Sequence, residues 1–253
     1  MTTSEEHILR HSAFSYLSQW HQTDSALMAA IVLESNSEKR GDAFRKLAIK
    51  YQVIRTFPIK KLRDFEGDVG LAKRWRKVAA SARKIRINPA DTEATAAKVQ
   101  AFASRLGDIF ATKDDLKDYP NLISAATKFL WFAGHTSIKI YDSRAVAALN
   151  ELHKSGLVNG NYAAYAKAWD AEFKTREPMV AAAIAGSVDH IDWSVLPDGP
   201  AKALALRASK KVWFRDRVFD KFLWTYGAKK EKGAISSSEK VAQLKELIAR
   251  LAR

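Results

Sequence analysis

Ile123-Ser-Ala-Ala-Thr-Lys-Phe-Leu-Trp-Phe-Ala-Gly134, followed three residues later by Ile138-Lys-Ile-Tyr-Asp-Ser-Arg-Ala-Val146, is the stretch on which the reading of this chain turns. Small and aromatic residues around a single lysine, Lys128, predict a helix over Leu122 to Phe132, and Gly134 supplies a turn after it. Ile138 and Ile140 alternate, so Ser137 to Tyr141 reads as extended. Five such residues do not make a sheet. Asp142-Ser143 then stands at the start of a helix over Ser143 to His153, with Val146 and Leu149 on its buried face. Aspartate is a favoured residue at that capping position, because its carboxylate accepts from the first free backbone N–H groups.

Outward from this stretch, apolar residues recur every three or four positions almost everywhere. Ile8, Leu9, Phe14, Leu17 and Trp20 mark an N-terminal helix, and Phe44, Leu47, Ala48, Tyr51 and Ile54 mark another. Leu71, Trp75, Val78, Ala82 and Ile85 form the apolar face of a helix whose other face is basic. Asn88-Pro89-Ala90-Asp91 ends it, and Asp91 or Thr92 caps the next, which buries Val99, Phe102, Leu106 and Phe110. Further helices are expected over Tyr162 to Phe173, Pro178 to Ala185 and, as one long amphipathic element, Ala201 to Tyr226. Gly227 to Ser238 reads as an exposed loop, and a last helix begins near Ser237 or Ser238. Neither an internal repeat nor a linker of domain-separating length interrupts the pattern. The fold expected is all-α: one compact domain over residues 1–253, with two lobes about a central cleft.

Charge is distributed unevenly. The chain carries 42 Lys and Arg against 28 Asp and Glu, a formal net of +14. Lys39 to Ile87 holds 16 basic and 4 acidic residues, and Lys202 to Lys232 holds 10 and 3, so the remainder is mildly acidic. Two basic regions on such a scaffold point to a surface that neutralises phosphates, as nucleic acid requires. A generally cationic solvated surface is the plainer alternative, and a basic helical scaffold that meets an acidic protein is another. The absence of cysteine excludes a disulfide framework and any thiolate zinc or iron–sulfur site, and suits a reducing cytoplasm. No segment has the apolar length for a signal peptide or a membrane span, so a cytoplasmic protein with no membrane partner is expected. Phosphate-binding loops, dinucleotide fingerprints and nucleophile elbows are all missing.

The Ile123 to Val146 stretch resembles the helix-hairpin-helix DNA glycosylases, and within them the eight-oxoguanine glycosylase-like fold. Ser124-Ala125-Ala126-Thr127-Lys128 matches the hairpin and pocket lysine, and Ile140-Tyr141-Asp142-Ser143-Arg144 matches the link and catalytic aspartate. Trp213-Phe-Arg-Asp-Arg-Val-Phe-Asp-Lys-Phe-Leu-Trp224 looks like the closing helix of compact members. The resemblance implies a monomer without cofactor or metal that binds duplex DNA, flips a nucleotide and cleaves its N-glycosidic bond. The hairpin turn here carries alanine and serine where the family has Gly-x-Gly.

Within that reading Asp142 is the catalytic carboxylate. As a base departs, positive charge develops on the sugar, and a carboxylate held beside it stabilises that charge or orients water. Lys128 either attacks the sugar as a neutral amine and forms a Schiff base, or stays charged and contacts phosphate or base. Trp131, Tyr141, Trp193 and Trp224 are the stacking surfaces considered for an extruded base. Asp189, beside His190 and Asp192, is read as a supporting acid, a base contact or part of a capped turn; one histidine is too few for a metal site. Arg144, Arg74, Arg76, Lys77, Arg215 and Arg217 are the expected phosphate contacts. The target base stays open among damaged purines, alkylated bases and hypermodified bases of invading phage DNA. A non-catalytic nucleic-acid-binding module using the same basic faces is the alternative function.

Overall fold

A computed structural model describes residues 3–111, 122–154, 156–190 and 199–231. Every regular element in them is helical, so the all-α class is what the chain adopts. In order these are α1 (Thr3–Gln19), a π-helical turn (Trp20–Asp24), α2 (Ser25–Val32), α3 (Ser37–Lys50), a 3-10 turn (Val53–Thr56) and α4 (Ile59–Lys84). There follow α5 (Thr92–Phe110), α6 (Ile123–Phe132), α7 (Ser143–His153), α8 (Tyr162–His190), α9 (Gly199–Ser209) and α10 (Val212–Glu231).

Local chemistry explains where several of these begin. The Asn36 side chain accepts from the backbone N–H groups of Glu38 and Lys39, and Asp91 accepts from Ala94 N at 2.9 Å. Asp142 caps α7 in the same way, accepting from Arg144 N at 3.1 Å. Each satisfies donors that a helix N-terminus leaves without an internal partner.

Four boundaries differ from the sequence reading. The expected long helix from Ala201 to Tyr226 is broken at Lys210-Lys211 into α9 and α10. Conversely, α10 runs on through Gly227 to Glu231, so the beginning of the expected loop is helical. Its remainder, and the helix expected near Ser237, lie outside the described residues. Pro178 sits inside α8 and does not break it. Proline forfeits one helical hydrogen bond, to the carbonyl four residues back, and that residue, Lys174, is exposed, where water can serve instead. The helix expected to include Tyr51 and Ile54 ends at Lys50 and is followed by the 3-10 turn, and α4 bends at Gly67, whose φ of 67° suits glycine.

The apolar residues of these helices join in one connected core. Phe44, Phe57, Trp75, Phe110 and Phe129 interlock edge-to-face and tilted on one side of it. Trp20, Trp131 and Trp213 form a second group. α6 is the central element: every one of its residues is buried except Ser124. A helix that is apolar all round has to lie inside the protein. Its polar seam is Ser124 and Lys128, four residues apart and therefore on one face.

The 137–141 connection is not a strand, and side chains do what a neighbouring strand would do. Tyr162 Oη accepts from Lys139 N and donates to Lys139 O, both at 3.1 Å. Tyr165 Oη donates to Ile140 O at 2.7 Å, and Tyr141 N donates to Thr127 Oγ1 at 3.1 Å. Buried backbone groups need partners, and here tyrosines on α8 and a threonine on α6 supply them. The link is thus pinned between two helices, which fixes where Asp142 emerges.

Candidate active site

A groove of about 670 Å³ opens where α1, the turn after α3, the start of α6, the start of α7 and α10 converge. Asp142 and Lys128 both line it. Lys128 Nζ donates to Ser124 Oγ at 2.7 Å and lies 3.5 Å from both Tyr141 O and Asp142 Oδ2. The two oxygens of Asp142 are divided between tasks: Oδ1 holds the α7 N-terminus, and Oδ2 faces the lysine. The carboxylate side chain is 26% exposed, whereas that of Lys128 is 7% exposed.

This burial pulls the Lys128 ammonium below the ordinary lysine range. Asp142 opposes the shift without overcoming it, and Arg217 adds to it by repulsion. The amine is therefore easier to deprotonate than a surface lysine, which is the condition a nucleophilic amine needs.

Cations ring the groove. Lys50 and Arg55 are exposed on the α3 side, and Arg144 and Lys221 stand on the other. Beside them lies Trp224, 40% exposed, with the Arg144 guanidinium 4.6 Å and Lys221 Nζ 5.4 Å from its rings. Cations over an indole face hold it in place and add positive potential beside a stacking surface. The approach of α10 to α7 depends on Gly227, because a side chain there would run into the backbone of Arg144.

The chain matches no protein-family model, no curated protein and no solved structure.

The groove collects five of the expected site residues: Asp142, Lys128, Arg144, Arg217 and Trp224. Arg217 is there in a different capacity from the one expected. It is buried, with its guanidinium 5.2 Å from the Tyr16 ring, 5.1 Å from the Trp131 ring and 2.9 Å from Asp220 Oδ2, so it forms the groove's floor.

The structure removes other expected contacts. Trp131 is sealed in the core and cannot meet a base. Tyr141 is buried too, packed on Tyr165, with its hydroxyl accepting from Gly160 N at 2.8 Å; its contribution is the carbonyl that Lys128 reaches. Arg74 is turned inward to Glu66 and the carbonyls of Ile109 and Ala111, which makes it a tie between α4 and the end of α5. Arg76, half-buried, and Lys77, exposed, stand on α4 outside the groove lining, as does Arg215 on α10, which pairs with Glu177 at 3.0 Å. Trp193 and the Asp189 side chain lie outside the described residues. Among those described, no cluster of His, Asp and Glu is placed to hold a metal ion, and no helix is long and apolar enough to cross a membrane.

Sequence reasoning missed the inner wall. Gln19, Tyr51, Asp220 and Lys221 line the groove beside the residues named above, and Asp24, fully buried, stands behind Gln19 and Tyr51. Asp24 was the accessible signal: an acidic residue flanked at helical spacing by Trp20, Leu27 and Met28. A second cavity, of about 390 Å³, lies between α5, α8 and α10, and Lys139, one of its two cations, is already held by Asp216 at 2.8 Å and Asp170 at 3.5 Å.

Proposed function

We propose that this protein is a DNA glycosylase that draws a damaged or modified nucleotide into the groove and hydrolyses its N-glycosidic bond. The observation that carries the reading is the placing of Asp142. It is a carboxylate oriented by its own helix N-terminus, with one oxygen turned toward a buried lysine at the edge of a cation-lined groove. A group held in that way needs little reorganisation when charge develops next to it. As the bond between base and C1′ stretches, the electrons leave with the base and the sugar becomes cationic. Asp142 stabilises that cation and accepts the proton of the attacking water.

The rim cations Lys50, Arg55 and Arg144 would take the phosphates on either side of the extruded nucleotide. Trp224 offers the face on which its base can stack. Lys128 serves in one of two ways: charged, it steadies Asp142; neutral, its nitrogen attacks C1′ in place of water and forms a Schiff base. The reading also rests on the similarity of residues 123–146 to helix-hairpin-helix glycosylases.

Asp142→Asn tests it. Asparagine caps helices about as well as aspartate, so the fold and DNA affinity should persist. Abasic-site formation on a panel of damaged, alkylated and phage DNAs should fall at least ~100-fold, the typical weight of such a group. Full activity in the variant would remove the mechanism. Salt-sensitive binding without base release from any DNA would make the protein a non-catalytic nucleic-acid-binding module.

A further inference from the structure

The inner wall of the groove is built around the π-helical turn Trp20–Asp24, where the chain passes from α1 to α2. Such a turn inserts one residue into the helical register, is less favourable than continuous α-helix, and is often found at functional sites. Here it carries Asp24 into full burial behind Gln19. Gln19 Nε2 donates to Asp24 Oδ2 at 3.0 Å and to Tyr51 Oη at 2.8 Å, while Tyr51 Oη donates to the same carboxylate oxygen at 2.6 Å. On the other side, Lys221 Nζ donates to Gln19 Oε1 at 3.4 Å.

These partners settle which way the amide points. A carboxylate only accepts and an ammonium only donates, so Asp24 demands the nitrogen of Gln19 and Lys221 demands its oxygen. The amide nitrogen is thereby turned into the wall, toward two acceptors 2.6 Å apart, and the oxygen is turned toward Lys221. What Gln19 holds toward a ligand on that side is the second lone pair of Oε1, beside the remaining N–H donors of Lys221.

We propose that Gln19 is the residue that reads the extruded base, presenting a fixed hydrogen-bond acceptor that selects a base edge with an N–H donor. The neighbouring Lys221 suits a carbonyl or ring nitrogen next to that donor, so the recognised edge is a donor–acceptor pair. Bases alkylated on the ring nitrogen that would donate are disfavoured. Asp24 and Tyr51 are positioning residues that act through the amide. This inference rests on the groove being where a flipped nucleotide enters.

The test uses the full chain carrying Asp142→Asn, to prevent turnover, and two duplexes. One holds thymine opposite an abasic analogue and the other N3-methylthymine opposite the same analogue. Neither base is paired, so extrusion costs are similar, and the methyl group removes the one ring N–H. Gln19 should favour thymine by roughly five- to tenfold in Kd, the weight of one neutral hydrogen bond. Adding Gln19→Met should bring the two affinities together. A structural role for Gln19 would instead lower both equally and preserve their ratio, and a steric effect of the methyl group would survive in the double variant. Either result overturns the proposal. Equal affinities for the two duplexes before Gln19 is replaced, with salt-sensitive binding intact, overturn it while leaving the DNA reading in place. Absence of binding to any duplex overturns the DNA reading, and this inference with it.

Discussion

Replacing Gly227 by alanine should destabilise the protein, although a helix-interior glycine to alanine change ordinarily does the reverse. Gly227 lies on α10 where that helix crosses the first turn of α7. A Cβ built at this position would fall 2.8 Å from the carbonyl carbon of Arg144 and 3.2 Å from its Cα, with the carbonyl oxygen nearer still. Ordinary carbon contacts are about 3.5–4.0 Å, so the two helices must part by on the order of 1 Å. The opposing atoms are backbone, which cannot swing away as a side chain can. Overpacking of that kind costs about 1–3 kcal/mol, against a gain of up to ~1 kcal/mol from helix propensity. For a chain of this size each kcal/mol lost lowers Tm by roughly 2–4 °C. A fall of several degrees in a thermal melt is therefore expected. Because Arg144 follows Asp142 by two residues, the base release proposed above should also drop, by up to ~100-fold for a displacement near 1 Å. A raised Tm would refute the close approach of α10 to α7 at Gly227.

Lys128→Gln should abolish borohydride trapping of an enzyme–DNA adduct if Lys128 is the nucleophile, and in the unsubstituted protein trapping should rise with pH to a midpoint below that of ordinary lysine, because burial favours the neutral amine; base release without trapping at any pH would restrict Lys128 to the charged role. Burial raises the Asp220 carboxyl to about 6 against the opposing pull of Arg217. Between its unfolded value near ~4 and about 6 the folded state keeps a proton that the unfolded state has released, so this group's contribution to stability falls as pH rises through that window. The stability difference between the unsubstituted protein and Asp220→Asn, from urea midpoints at pH 4 to 7, should show that fall, and a difference independent of pH would contradict it. Lys50→Ala with Arg55→Ala should reduce the salt dependence of DNA binding by about one to two units of slope, measured by fluorescence titration, whereas Arg74→Ala should lower Tm and leave that slope alone.

Much of the candidate site was legible because its parts are close in sequence. Ser124 and Lys128 are one helical turn apart, and Asp142 needs only the start of α7 to be read as a cap. The helices themselves follow from periodicity, which reports the face that each one buries. Periodicity does not report how deep a face lies. Trp131 and Tyr141 were therefore credited with stacking roles that burial denies them, and Arg74, which looks like part of a basic stripe, turns out to be spent on Glu66 and two carbonyls.

The amino-acid sequence by itself determined the all-helical class, the uneven positive charge, the cap at Asp142 and the single lysine of α6, since each depends on side chains within a turn or two of one another. Only the tertiary structure decided that Gln19 meets Tyr51 across 32 positions and Lys221 across 202, and that both face the groove of Asp142. Contacts at such separations exist only once α1, α3 and α10 have packed. That packing is set by the shapes of whole apolar faces and by the close crossing at Gly227, which no local pattern of residues encodes.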